Sequence, residues 1–484
     1  MMSTDKYEAV IGLEIHVQLN TNTKAYSSDR NIFGSLPNTN VNPISLGHPG
    51  TLPIPNKKAI EFAVSLGLAC GSKISRYNEY ARKNYFYPDL PKGYQITQDR
   101  FPICTGGTVK IKNSNGEDKE VQLTRIHMEE DTGKSIHDID PFSSLVDLNR
   151  AGVPLLEIVT EPDFRSSKEA YIFVGELRRL VRYLDISNGN MEEGSLRCDT
   201  NVSIRLKGDP ILGTRVEVKN MNSISNIERA INFEIERQIG IVDGGGKISQ
   251  ETRTWDAVNG KSVVIRTKED AHDYRYFYEP DIQPIVIEED FIIGIKESLP
   301  PLPSELIEKY TSELGLSLYD AQLLTDTKEI AMYFEELIKH TSNVKASANI
   351  LMGVIKSHLN ERAISIDDFP ISPKRIADLI HLIDTGKVSN SAATIKIFPK
   401  MLENLDKSPM DLAKNMNLIQ DSNADNISLL VKEVLDKYPK KIEEYKGGKT
   451  GLLGMFMGEI MKLSKGKADP KLTQEILKSH LDKM

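Results

Sequence analysis

Cysteine is scarce in this chain. Its 484 residues hold three, Cys70, Cys104 and Cys198, with no CxxC pair among them. So odd and scattered a set excludes a disulfide framework and a cysteine-based zinc site, and it suits a reducing compartment. No run of about 18 apolar residues occurs, so no membrane-spanning helix is expected. The start, "MMSTDKYEAV", has no basic stretch followed by an apolar one. No secretory leader is therefore expected, and the cytoplasm is the expected location. Positive charge is not in excess either: the net charge is −8. That excludes a general basic coat for nucleic acid and leaves room only for a local basic patch. The usual catalytic signatures are missing as well. "KGGKT" ends like a phosphate loop, but Glu443 stands where its first glycine belongs. No GxGxxG follows a strand, and neither HExxH nor GxSxG occurs. A nucleotide, if bound, must lie on a sheet rather than in a glycine-rich loop.

What is present begins with "GLEIHVQL", Gly12 to Leu19. Leu13, Ile15, Val17 and Leu19 alternate with Glu14, His16 and Gln18, the period of a strand with one buried face. "RIHMEED" repeats the pattern, with Arg125, His127 and Glu129 on one face. "PLLEIVTEPD" sets the single carboxylate of Glu157 in an apolar run, where it is costly to bury unless paired or bound to a cation. Carboxylate oxygens suit Mg²⁺, and a histidine among them also suits Mn²⁺ or Zn²⁺. A half-exposed antiparallel sheet with a solvated polar face would show the same alternation.

The longest ladder is "SLRCDTNVSIRL", in which Arg197, Asp199, Asn201 and Arg205 oppose Leu196, Cys198, Val202 and Leu206. Its neighbour "RVEVKN" adds Arg215, Glu217 and Lys219, followed by Asn220. Such a face can hold a triphosphate, with cations on phosphate oxygens and carboxylates on a metal. Cross-strand ion pairs on an exposed sheet would give the same pattern without a ligand. Further on, "NKKAIEFAVSLGLACG" and "SISNIERAINFEIERQIG" read as amphipathic helices, the second capped by Ser225 and ended by Gly240. The aromatic loops "RKNYFYPDLPKGYQITQDR" and "DAHDYRYFYEPD" read as rigid functional walls or as lids over a core.

At "ESLPPLPSEL" the strand signals give way to helices, and a second shift falls near "NLDKSPMDLAKNMN". The expected organisation is α+β: a β-rich domain over 1–297, a helical domain over 298–408 and a small helical tail over 409–484. Lysines concentrate in the tail, Lys462, Lys465 and Lys467 among them. They form a candidate phosphate-backbone surface or simply a solvated helical face.

In this order, "VIGLEIHVQL", "PGTLPIPN", "RKNYFYPDLPKGYQI", "HMEEDTGKS", "DLNRAGVPLLEIVTEPD", "MEEGSLRCDTNVSIR", "EVKNMNS", "DYRYFYEPD" and "GLLGMFMGEIMK" resemble one family, the B subunits of the aspartyl/glutamyl-tRNA amidotransferases. The resemblance covers nearly the whole chain. It implies an N-terminal cradle domain of glutamine synthetase and guanidino-kinase type, followed by two all-α domains that grip tRNA. It implies a glutamine-hydrolysing carbon–nitrogen ligase that uses ATP and Mg²⁺ to convert misacylated Glu-tRNA(Gln) or Asp-tRNA(Asn) to the amide. The partners it implies are an amidase A subunit that supplies ammonia, a small C subunit completing a heterotrimer, and the tRNA. Carried residue by residue, it makes Glu14, His16, Glu129 and Glu157 the metal set, and Lys83 the group where ammonia meets the site. Glu14, His16, Glu129 and Lys83 then stand as the catalytic residues. Arg197, Asn201, Arg205, Lys219 and Asn220 become candidates for nucleotide or acyl-phosphate contacts, and Lys462, Lys465 and Lys467 for tRNA. Some relatives carry paired cysteines for zinc between the first strand and "PGTLP"; this chain has none there, so no zinc is expected. A stand-alone carboxylate–amine ligase and a non-catalytic tRNA-binding scaffold are the rival readings.

Overall fold

A computed structural model of the chain describes residues 6–113, 116–137, 139–267, 274–420, 424–464 and 467–483. They divide into two compact units, Met1–Ser304 and Glu305–Met484.

The first unit is built on a ten-stranded sheet. Its principal strands are β1 (Tyr7–Gln18), β2 (Ala81–Asn84) and β3 (Tyr94–Thr97) of a side hairpin, β4 (Asp118–Glu130), β5 (Pro154–Thr160), β6 (Leu196–Leu206), β7 (Val216–Met221), β8 (Glu251–Asp256) and β9 (Lys261–Thr267). Across the sheet the order is β9-β8-β7-β6-β1-β5-β4, then two short strands, Cys104–Thr105 and Lys73–Ile74. Strand Thr108–Lys112 pairs with β4 off this path. Pairing is antiparallel except between β7 and β8.

Alternation decides which face is buried. Leu13, Ile15 and Val17 of β1, Ile126 and Met128 of β4, Leu156 and Ile158 of β5, and Leu196, Cys198 and Val202 of β6 all enter one hydrophobic core. Helices α1 (Lys57–Ala69), α2 (Ser167–Tyr183) and α3 (Ile224–Asp243) cover this face with Phe62 and Val64, Phe173 and Leu177, and Ile227 and Ile231. The opposite face of the central strands is left to polar side chains.

The helices differ from expectation in detail. The cap of α3 is Ser223, which accepts from the Asn226 N–H, not Ser225. The helix also runs through Gly240 to Asp243, because Ile239 and Val242 continue a packed stripe against Tyr7 and Ile204. Helix α2 is absent from the sequence reading, although Phe173, Val174, Leu177 and Val181 have helical spacing and are fully buried. A fourth helix, α4 (Glu289–Ser298), extends the unit past the expected boundary at 297. Phe291, Ile292, Ile295, Leu299 and Leu302 all pack against the same core, so the proline connector belongs to this unit.

The loop from Asn20 to Asn56 is held by a buried lysine. Lys24 is 1% exposed. Its ammonium donates to the Asn40 carbonyl at 2.7 Å and lies 3.6 Å from Asp29 Oδ2. Asp29 in turn accepts from the Ser27 and Ser45 hydroxyls. Burial pulls the Lys24 ammonium below its ordinary pKa, and Asp29 pulls in the other direction.

The second unit is helical. Its first part includes Lys328–Ile338, Pro373–Asp384 and Pro409–Asn415, interrupted by π-helical turns at Lys309–Glu313, Leu351–Ile355 and Ala393–Ile397. Pro409–Asn415 packs on Pro373–Asp384, so the tail's own core begins later than 409. That core joins Ile427, Val431, Val434 and Leu435 to Phe456, Ile460, Leu477 and Leu481. No helix among the described residues is long and apolar enough to cross a membrane.

Replacing Lys24 by Met removes the cation, leaving the buried Asp29 side chain without a counter-charge and the Asn40 carbonyl without its donor. The expected loss is about 3 kcal/mol of unfolding free energy, read by denaturant titration; a loss under about 0.5 kcal/mol, the range of an ordinary surface change, would show that the loop does not depend on this lysine.

Candidate functional site

The site is a product of register. Opposed residues of antiparallel strands share a face, and here four adjacent strands put one polar residue each on a single rung. Arg197 of β6 opposes His16 of β1, His16 opposes Glu157 of β5, and Glu157 opposes His127 of β4. One rung away, Glu14 opposes Asp199; on the other side Glu129 and Gln18 flank Leu155.

The side chains converge. His16 Nε2 is 3.3 Å from Glu157 Oε2 and 3.7 Å from Glu14 Oε1, and His127 Nε2 reaches the same Glu157 oxygen at 3.5 Å. Two groups could hold a cation, with all their ligand atoms within 4.8 Å of one another: His16, Glu129 and Glu157, and Glu14, His16 and Asp199. Their shared histidine makes them one continuous donor field. Two further observations fit a cation here. The buried Nδ1 of His127 has no hydrogen-bond partner among the described residues. Burial, then the charge of Glu157, pushes the Glu14 carboxyl above its ordinary pKa against the pull of His16 and Lys219, and a bound cation would favour its charged form.

Burial opposes ionisation of Glu157 too, but the imidazoles of His127 and His16 hold it well below the carboxylate range. Burial likewise works against the His16 imidazolium, and the hydrogen bond and charge of Glu157 overcome it, leaving His16 at about 9.

A frame of cations and amides surrounds this field. The β2–β3 hairpin sets Lys83 opposite Gln95. Lys83 Nζ lies 3.4 Å from Glu129 Oε2, Gln95 Nε2 donates to Glu129 Oε1 at 3.0 Å, and the Tyr85 hydroxyl donates to Gln95 at 2.6 Å. Burial disfavours the Lys83 ammonium, but Glu129 and Glu157 keep it charged. At the other edge a bulge, with Asn220 at φ +65°, turns Lys219 onto Asp199 and within 3.0 Å of Glu217. Arg197 reaches Asp131 at 2.9 Å.

Of the residues expected at the site, Glu14, His16, Glu129, Glu157, Lys83, Arg197 and Lys219 come together. Asn201 lies on the same face one rung beyond Asp199, between Glu217 and Gly12. Two do not join them. Arg205 is eight residues beyond Arg197, roughly 26 Å along an extended strand, and donates to Glu8 at 2.7 Å. Asn220 bonds outward to Thr254 Oγ1 at 2.8 Å. Both lie apart from the rung: strand length carries Arg205 away, and the bulge removes Asn220 from the alternation. The structure adds His127, Asp199, Asp131, Gln18 and Gln95. His127, Asp199 and Gln18 were legible as members of the polar faces; Asp131 and Gln95 come from a strand end and a hairpin, and only tertiary folding brings them here. In the second unit Lys462 and Lys467 are exposed, and Lys465 lies outside the described residues.

Comparison with known proteins gives the family. Residues 9–293 match the GatB/GatE catalytic domain, and residues 332–481 match the GatB domain. The chain belongs to the GatB family. Among curated GatB relatives, the aspartyl/glutamyl-tRNA(Asn/Gln) amidotransferase B subunit of Caldicellulosiruptor bescii is 47% identical over 99% of this chain and 100% of that protein. The corresponding protein of Chlorobium limicola is 48% identical over 99% and 100%, and that of Thermodesulfovibrio yellowstonii 46% over 98% of each. The GatB/GatE catalytic-domain match includes every residue of the polar rung.

A cation that takes His16 Nε2 must displace its proton. Affinity for Mg²⁺ or Mn²⁺ is therefore expected to rise by up to about tenfold per pH unit from pH 7 and to level off near the His16 value of about 9. Calorimetric titration at several pH values measures this, and a flat profile would remove His16 from the ligand set.

Proposed function

We propose that this chain is the synthetic subunit of a tRNA-dependent amidotransferase, a glutamine-hydrolysing ligase. It phosphorylates the side-chain carboxylate of glutamate or aspartate misattached to tRNA(Gln) or tRNA(Asn), then converts the acyl phosphate to the amide. The observation that carries the reading is the polar rung on the open sheet face, with Glu14 and Glu129 beside it and cations at both edges. A sheet with one helix-covered face and one such polar face supports a cradle of glutamine synthetase and guanidino-kinase type.

Glu14, His16, Glu129 and Glu157 would hold Mg²⁺, which when bound neutralises charge on the triphosphate. Arg197 and Lys219 are placed to meet phosphoryl oxygens, and a guanidinium offers these a planar fork of donors. In the first step a carboxylate oxygen of the substrate attacks the γ-phosphorus of ATP; the bond to the bridging oxygen breaks and ADP leaves. In the second step ammonia attacks the acyl carbon, the C–N bond forms, phosphate leaves, and nitrogen gives up a proton. Glu129, held by Lys83 and Gln95, would take that proton through the carboxylate oxygen that the cation leaves free. Lys83 also marks where ammonia enters. No glutaminase nucleophile is evident in the sequence, which supports supply by an amidase A subunit, joined through a small C subunit. The exposed lysines Lys462 and Lys467 support a tRNA backbone contact by the tail.

With the partner subunits, ATP and misacylated tRNA, Glu129→Gln is expected to lower amide formation by about a thousandfold while tRNA binding survives. Near-normal turnover would take Glu129 out of the reaction, and amidation of free glutamate without tRNA would favour a stand-alone ligase. Separately, the paired changes Lys462→Glu and Lys467→Glu are expected to weaken tRNA binding roughly tenfold and flatten its salt dependence by about two counterions; unchanged affinity would refute the tail's role.

A further inference from the structure

We infer that Asp131 is the positioning residue for Arg197: it grips one nitrogen of that guanidinium and so fixes the other edge over the metal-ligand rung, where the phosphoryl group of ATP must lie. The inference rests on the function proposed above and extends it to a residue outside the expected site.

Asp131 sits just past the end of β4 and is 3% exposed. Its own backbone is clamped: its N–H donates to the Val153 carbonyl at 2.8 Å, and its carbonyl accepts from the Gly152 N–H at 2.9 Å. Oδ1 accepts from the Thr132 N–H at 2.9 Å. Oδ2 is then the oxygen left for other side chains. It accepts from Gln18 Nε2 at 2.8 Å and from Arg197 NH2 at 2.9 Å, with Arg150 Nε 3.7 Å away. Arg150 is itself committed to the carbonyls of Thr132 and Gly133, at 2.9 and 2.6 Å. The carboxylate is thus rigid on its backbone side and saturated on its side-chain side.

Arg197 is held differently. Its side chain is 33% exposed, and among the described residues the bond to Asp131 is its one ion pair. By register it opposes His16. A guanidinium is planar, so anchoring one nitrogen restricts the directions in which its remaining N–H donors can point. Donors already aimed at the place where charge develops need not reorganise during the reaction. An arginine without that anchor would sweep the open face. The pair also offsets the burial of the Asp131 carboxylate, so a structural gain is shared by any such contact; what sets positioning apart is that it acts on activity only through Arg197.

The test uses the complete complex with ATP and misacylated tRNA. Asp131→Asn keeps the shape and removes the charge. It is expected to lower kcat about 10–100-fold, with tRNA affinity and partner glutaminase activity within about twofold of the parent. Arg197→Ala should show a loss of the same size or larger. Because Asp131 acts through Arg197, the double variant should be no worse than Arg197→Ala by more than about threefold. Added guanidinium should restore part of the activity of Arg197→Ala and none of that of the double variant. A silent Asp131→Asn, multiplicative losses or equal rescue in both backgrounds would each overturn the inference. A fully active Arg197→Ala would instead overturn the proposed site itself. Should Asp131→Asn fail to fold, Gln18→Leu loosens the same carboxylate: a loss of a few fold alone, and none in the Arg197→Ala background, is the expected result, while full activity overturns the positioning role.

Discussion

Everything at this site depends on one buried carboxylate held between two histidines. Glu157 lies mid-strand in an otherwise apolar segment, where an unpaired negative charge is expensive. It is tolerated because β1 and β4 flank β5 on both sides and each brings an imidazole to the same oxygen. That arrangement requires three strands in correct register. A slip of one residue would turn all of these groups into the helix-covered core and leave the apolar residues on the open face. The hydrophobic core and the polar site therefore specify each other.

The polar face is graded from centre to edge. At its centre the carboxylates of Glu14 and Glu157 crowd around His16, and burial followed by the charge of Glu157 raises the Glu14 carboxyl. Towards the edges each acidic group is met by a cation: Glu129 by Lys83, Asp199 by Lys219, Asp131 by Arg197. A divalent ion suits the centre, and a substrate carrying several negative charges suits the ring of cations around it. A reaction that moves a phosphoryl group needs both, because charge is redistributed over the γ-oxygens as the bond to ADP breaks.

The loop after β1 solves a different problem with similar chemistry. Lys24, Asp29, Ser27 and Ser45 tie it together through hydrogen bonds and a buried ion pair. A lysine ammonium is a single fixed charge on a flexible stem, so it can hold a loop only where carbonyls and a carboxylate already converge. Here Asn40 and Asp29 supply them.

Alternation along single strands was enough to place Glu14, His16, Glu129, Arg197 and Lys219 on polar faces, because a two-residue period is a property of the strand alone. The likeness of nine short segments to a known family carried the reading from a polar face to a reaction. The sequence did not show which strands are neighbours, and pairing partners decide that His127 and Asp199 belong with the others. It also overextended the ladder: Arg205 shares the alternation of Arg197, but a strand of this length carries it to a different region and a different partner, Glu8. Asp131 and Gln95 had no periodic signal, since one follows a strand end and the other sits in a side hairpin; only folding in three dimensions brings them to the cluster. Face is decided locally by backbone geometry, whereas proximity is decided by strand order and register, which the packing of the whole sheet sets.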